Sequence, residues 1–396
     1  MKRKVVRRAT DTRLAHWFAS CPRGLEALLE EDIIAAGGTA IATTPGGAGF
    51  LGTQETCYRL NLTSRIATRV LCRLASAEFR DELDIYRLAY DIAWPTLFDV
   101  SRSIRVYVTA VRAPFKSLEY LTLKVKDAVC DRFRADVGRR PDVNTAAPDV
   151  RIHLYVTARE ATLYLDTSGE PLWRRGQKIA KIAAPLKENL AAGILRLSGW
   201  RPGVPLIDPM CGSGTFLLEA AGMSLDDAPG LSRKTQDFGF SKLLDYQPGL
   251  WQRLCQEAAA QRLASPSRLP IWGSDRDAAA VARTRQNLAH AGLDTLIELH
   301  QADVLDITAP APSGVLVANP PYGERLGELD ELAAFYPRLG DVLKKRFAGW
   351  HCWFLSADMR LPKLIGLKPS RRIPLFNGAL ECRLFGFPIV VGSARK

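Results

Sequence analysis

Long apolar runs, closely spaced cysteines and internal repeats are what this chain lacks. No stretch approaches the roughly 18 apolar residues of a membrane-spanning helix. The basic N-terminus is not followed by an apolar segment, so no secretory signal is read there. Eight cysteines, Cys21, Cys57, Cys72, Cys130, Cys211, Cys255, Cys352 and Cys382, are scattered without any C-x-x-C pair. That spacing argues against a zinc site or a disulfide framework and fits reduced thiols in a cytosol. No biased tract and no repeat of solenoid period is present. What remains is a globular cytoplasmic protein with no metal requirement.

At 396 residues the chain is long for one core, which predicts two or three domains. Its composition, 47% apolar and 24% charged, is ordinary for a folded protein. The net charge of +12 admits two readings, a basic tail or a polyanion partner. Residues 1–185 carry a net +8 and residues 186–396 a net +4. Part of the first excess is a tail, residues 1–12, holding Lys2, Arg3, Lys4, Arg7 and Arg8 and expected to be disordered. Charge alone therefore points only modestly to nucleic acid.

The pattern along the chain changes once. Residues 13–167 read as a small α+β region. Strand Arg13–Ala19, a turn at Cys21-Pro22-Arg23-Gly24 and a helix from Leu25 to about Ala36 are followed by short strands near Thr39–Thr43 and Gly49–Gly52 and a helix near Gln54–Leu60. Further on come a strand over Ile104–Ala110, an amphipathic helix over Leu121–Phe133, and a hairpin of Arg151–Ala158 with Ala161–Leu165. Residues 168–185 read as a connection between domains. From residue 186 strands and helices alternate, which predicts a doubly wound, mostly parallel sheet. An insertion interrupts it at about residues 225–268. Asn377-Gly378 between two apolar runs predicts a closing antiparallel hairpin.

Four signals fall at the carboxyl ends of four successive predicted strands, where an open parallel sheet binds its ligand. The first is Asp208-Pro209-Met210-Cys211-Gly212-Ser213-Gly214-Thr215, a glycine turn opening a helix. It is not a P-loop, because no Gly-Lys-Ser/Thr follows, and Leu217 stands where a dinucleotide fingerprint needs its third glycine. Gly212 and Gly214 let backbone approach a ligand, and the helix offers free N–H groups. Cys211 reads best as a small packing residue. The second signal is Asp275, placed to hold ribose hydroxyls or to cap a helix, although Asp277 fits the cap better. The third is Asp303, which suits either an adenine amino group or a solvated loop. The fourth is Asn319-Pro320-Pro321-Tyr322. Two prolines cannot continue a sheet ladder. They leave a rigid turn with an amide oxygen, bare carbonyls and an aromatic face, a set that suits a flat base bearing an exocyclic amine.

Together these motifs resemble a class I S-adenosylmethionine-dependent methyltransferase acting on an exocyclic amino group. Phe18-Ala19-Ser20, Pro22–Glu26, Lys124–Ala128, Leu186-Lys187-Glu188, Asp208–Thr215 and Asn319–Leu326 are similar to the large-subunit ribosomal RNA guanine-N2 methyltransferases. The resemblance covers the chain after its tail. It implies a ferredoxin-like and THUMP region that binds 23S RNA or a large-subunit precursor, then a Rossmann-like catalytic domain over residues 186–396. It assigns Asp208, Met210, Cys211, Gly212, Gly214, Thr215, Asp275, Asp303 and Asn319 to the cofactor, and Asn319, Pro320, Pro321 and Tyr322 to the acceptor base. Some members carry a second methyltransferase domain; this chain ends after its hairpin, which implies that activity is absent. Lys116, Lys124, Lys126, Arg132 and Arg134, with Trp173, Arg174, Arg175 and Lys178 in the connector, are candidate RNA contacts. A transfer-RNA guanine-N2 enzyme, an adenine-N6 enzyme and a non-catalytic assembly factor are the rival expectations.

Overall fold

The computed structural model describes residues 13–179, 186–264, 266–321 and 328–390. The basic tail, Lys181, Tyr322 and Gly323–Leu326 lie outside them. Two seven-stranded sheets organise the described chain. The first half runs β1 (Ala15–Ser20), α1 (Glu26–Ala35), β2 (Thr39–Thr44), β3 (Gly47–Gly52), α2 (Gln54–Thr63), β4 (Arg69–Glu78), α3 (Glu82–Tyr90), β5 (Ile104–Ala110), α4 (Leu118–Val137), β6 (Val150–Val156) and β7 (Glu160–Asp166). Its strands lie in the order β2-β3-β1-β4-β7-β6-β5, antiparallel except for the β5–β6 pair.

Local chemistry sets most of these elements. Ser117 caps α4 by accepting from the Tyr120 N–H at 3.2 Å, and Gly138, at φ +73°, ends it. Leu121, Val125, Val129 and Phe133 form its buried stripe. Two elements had no counterpart in the sequence reading. The helix α3 is capped by Asp81, which accepts from the N–H groups of Leu83 and Asp84 at 2.9 and 3.0 Å; the Asp-Glu-x-Asp pattern was its readable signal. The strand β4 was harder to see, because a register shift between Arg73 and Ala75 breaks its alternation.

The second half runs α5 (Glu188–Leu197), β8 (Leu206–Asp208), α6 (Thr215–Ser224), α7 (Pro248–Gln261), β9 (Ile271–Asp275), α8 (Ala278–His290), β10 (Glu298–Gln301), β11 (Gly314–Ala318), α9 (Glu328–Arg346), β12 (Trp350–Ser356), α10 (Leu361–Leu364), β13 (Arg371–Asn377) and β14 (Leu380–Pro388). The order β10-β9-β8-β11-β12-β14-β13 is parallel through β12 and antiparallel at the closing hairpin. Strand order reverses between β8 and β11, the topological switch point at which such sheets bind ligands.

The halves share a core. One apolar cluster extends from Trp17 in β1 through Leu190 in α5 to Leu384 in β14. The segment between α6 and β9 joins it. Phe240 and Trp251 pack on Tyr58 of α2 with ring centres 4.5 and 5.9 Å apart, and the Tyr58 hydroxyl accepts from the Gln247 N–H at 3.0 Å. Residues between α6 and β9 thus cement the second half to the first.

Candidate active site

β8 ends at Asp208, and the chain turns at once into a loop stitched to its neighbours. The Cys211 N–H donates to the Ser274 carbonyl at 3.0 Å, and the Gly212 N–H to Asp275 Oδ2 at 3.0 Å. Thr284 Oγ1 donates to the Gly212 carbonyl at 3.1 Å, and Asn287 Nδ2 to the Ser213 carbonyl at 3.0 Å. Gly214, at φ +78°, starts α6 without a side-chain cap, so the first-turn N–H groups of that helix are left to a ligand or solvent. A Cβ on Gly214 would lie 2.9 Å from Thr284 Cγ2. Glycine is required there by both conformation and space.

Asp208 is 2% exposed. Burial pushes its carboxyl up to about 8; the Met210 N–H opposes the rise, and the charge of Asp275 adds to it. A buried carboxyl without a cationic partner among the described residues suits a ligand that brings positive charge. Cys211 is buried, 3.6 Å from Thr284 Oγ1, with its thiol pushed up by burial. That environment makes it a packing residue rather than a nucleophile.

Asp275 accepts from Gly212 with one oxygen and from the Asp277 N–H at 3.0 Å with the other, while Asp277 itself caps α8. Asp303 sits two residues past β10 and closes a local turn by accepting from the Leu305 N–H at 2.9 Å. Asn319 is half-buried, Pro320 buried and Pro321 exposed at the end of β11. β11 pairs with β8 at Val315–Leu206 and Leu316–Ile207. Asn319 and the glycine loop therefore leave adjacent strands at the same edge. Tyr322 lies outside the described residues.

The basic candidates divide. Arg175 is an interior residue, 2% exposed, with Nε 2.7 Å from Glu219 Oε1, close enough for charge pairing though not aligned as a hydrogen bond. Lys178 also turns inward, to Glu188 Oε1 at 2.9 Å and Thr215 Oγ1 at 3.1 Å. Both of these candidate RNA contacts thus face carboxylates inside the fold. Lys178 instead braces the first residue of α6. The Ile179 N–H adds a second tie, donating to Asn287 Oδ1 at 3.0 Å. On α4, Lys126, Arg132 and Arg134 pair with Asp127, Asp136 and Asp131 at 2.7, 2.6 and 2.9 Å. Lys116 is exposed, and Lys124 lies over the Tyr120 ring at 5.2 Å. Arg174 and Lys187 each lie over the Trp173 ring, at 5.3 and 5.5 Å from its centre. Arg174 also pairs with Glu170 at 2.7 Å. Among the described residues, no group of three His, Cys, Asp or Glu could hold a metal, and no helix is long and apolar enough to cross a membrane.

The strand order and the glycine loop on its first strand define the class I methyltransferase fold, whose cofactor is S-adenosylmethionine. Residues 175–385 match the family described as RMKL-like, methyltransferase domain, and the chain belongs to that family. Residues 79–166 match the THUMP domain and residues 16–71 the RlmL ferredoxin-like domain. The chain is 40% identical to the "Ribosomal RNA large subunit methyltransferase K/L" of Syntrophotalea carbinolica, over 94% of this chain and 53% of that protein. It therefore spans about half the length of such relatives. It is 37% identical to "Putative RNA methyltransferase slr0064" of Synechocystis, over 94% of this chain and 96% of that protein. The crystal structure of SMU.472 complexed with SAH superposes with a TM-score of 0.85 at 27% identity, covering 96% of this chain and all of that one.

Proposed function

We propose that the chain transfers a methyl group from S-adenosylmethionine to the exocyclic N2 amine of a guanine in 23S ribosomal RNA or a large-subunit precursor. The observation that carries this reading is the shared edge: Asn319-Pro320 leave β11 beside the Asp208–Thr215 loop of β8. That loop would hold the methionine part, Asp275 the ribose hydroxyls and Asp303 the adenine amine. When bound, the cofactor supplies the electrophilic methyl.

The acceptor side is the work of this chain's own groups. A guanine amine is a weak nucleophile, because its lone pair is delocalised into the ring. The Asn319 Oδ1 and the Pro320 carbonyl accept from its two N–H bonds, which favours a pyramidal nitrogen and stabilises the positive charge that grows on it. Tyr322 stacks on the base after it has left its helix. Holding the amine in line with the methyl supplies much of the acceleration. The THUMP match and the relatives named for ribosomal RNA support RNA as the acceptor.

Labelled methyl transfer onto fractionated RNA from cells lacking the protein, followed by nucleoside analysis, tests the reading. N2-methylguanosine in large-subunit RNA is expected. N6-methyladenosine would overturn the base assignment, and label confined to transfer RNA would overturn the substrate. Cofactor binding without transfer to any RNA fraction would leave an assembly factor. Asn319→Ala should lower kcat on the order of 100-fold or more while the cofactor Kd stays within about threefold.

A further inference from the structure

A cavity of about 540 Å³ opens where the two halves meet, lined by no residue of the four motifs. Its walls come from the turn after β1 (Pro22, Arg23), the β2–β3 turn (Gly46), the start of α5 (Lys187, Asn189) and the last residues of β13 (Phe376). The volume suits a nucleotide. The chemistry of the walls suits one as well. Arg23 stands 5.7 Å from the centre of the Phe376 ring. Lys187 lines the wall as a second cation, with Phe376 as the aromatic face of the cavity. Neither Arg23 nor Lys187 enters an ion pair among the described residues.

The site is built rather than left over. Glu26 accepts from the N–H groups of Gly24 and Gly46 at 2.8 Å each, so one carboxylate holds both rim turns while its own charge is occupied. A Cβ on Gly24 would lie 2.4 Å from the Pro374 carbonyl, which locks the β1 turn against the closing hairpin. On the opposite wall α5 begins with no side-chain cap. Asn189 is 0% exposed, donates to the Ile66 carbonyl and to Thr68 Oγ1, and has no partner for its Oδ1. A buried acceptor without a donor is costly, and a ribose hydroxyl or base amine would relieve it. The neighbouring Leu186 carbonyl lies 3.5 Å from Thr215 Oγ1, so one residue of chain separates this wall from the cofactor loop.

We infer that this cavity is a second nucleic-acid site, which takes an unpaired nucleotide of the RNA substrate. The phosphate meets Arg23, Lys187 and the first turn of α5. The base lies on the Phe376 ring, and the sugar or base edge donates to Asn189. The inference rests on the RNA reading proposed above for the identity of its ligand. Its readout is binding, so its failure is separate from failure of methyl transfer.

The test is fluorescence anisotropy of a labelled, unstructured 12-nucleotide RNA with the full chain at stepped salt. Arg23→Ala/Lys187→Ala should bind at least tenfold more weakly at 100 mM salt, with a log–log salt slope shallower by about 1.4. Phe376→Ala should weaken binding at least fivefold with an unchanged slope, because stacking releases no counterions. Lys363→Ala, on α10, is the surface control, and cofactor affinity reports that each variant is folded. Affinity within twofold of wild type together with an unchanged slope in the double variant would overturn the proposal. So would loss of a uridine 5′-monophosphate site with oligomer binding intact, which would assign the cavity to a free nucleotide.

Discussion

Asp208 bears an electrostatic conflict in the Asp208–Thr215 loop. Its carboxyl is fully buried, receives one backbone N–H and faces Asp275 across the turn, so its folded pKa lies at about 8 rather than near 3.8. The folded state therefore prefers the protonated carboxyl. The stability this contributes is complete below the unfolded pKa and is lost as pH rises through about 8. Asp208→Asn should flatten that decline, which thermal unfolding between pH 5 and pH 9 would show. Cofactor binding has the opposite slope, because a cationic ligand favours the ionised carboxylate. Calorimetric affinity should weaken below pH 8, by up to about tenfold per unit, and the Asn variant should be weaker and nearly flat.

At the scale of elements, α6 depends on Lys178, upstream of α5. Its N-terminus has no cap of its own, and Lys178 reaches it through Thr215 while pairing with Glu188 of α5. Both side chains of that pair are about 10% exposed. Lys178→Met leaves a buried carboxylate alone and should cost roughly 3–5 kcal/mol in denaturant unfolding. Lys178→Met/Glu188→Gln should recover most of that loss, because no charge is then stranded. Cofactor affinity should stay reduced in both, since the brace on Thr215 is missing. An unchanged cofactor Kd in both variants would remove Lys178 from the loop's support.

Across the whole molecule, a buried charge triad joins three regions. Glu219 of α6 faces Arg175 of the connector at 2.7 Å and Arg65, just after α2, at 3.1 Å. Arg175 also donates to the Arg65 carbonyl at 3.0 Å. With the shared apolar cluster, this predicts that the ferredoxin-like part and the methyltransferase domain unfold together. Glu219→Gln strands two guanidinium groups and should cost about 3 kcal/mol or more. Calorimetry should then resolve the single transition of those two parts into two. The THUMP elements hold their own cluster around Trp94, Phe98 and Phe133 and should melt apart from both in either protein.

The elements that were readable in the chain are those whose signals are local. Glycine at a positive φ, Asn-Gly between apolar runs, an apolar stripe at helical spacing and a double proline each act over a short stretch, so the β8 loop, the closing hairpin, α4 and the end of β11 could be read directly. The strand β4 was not, because its bulge hides the period that reveals a strand. The fate of a charge was least readable of all. Arg175 and Lys178 look like Arg174 and Lys187 in the sequence, yet two are held by buried carboxylates and two lie on the surface ring of Trp173. A cation's partner is chosen by packing, as with Arg65 and Glu219, 154 residues apart. The sequence by itself determined the methyltransferase sheet and the positions of its four loop motifs. Only the tertiary structure decided which cations are held by buried carboxylates and that a cavity of about 540 Å³ lies between the halves, because both follow from contacts between residues far apart in the chain.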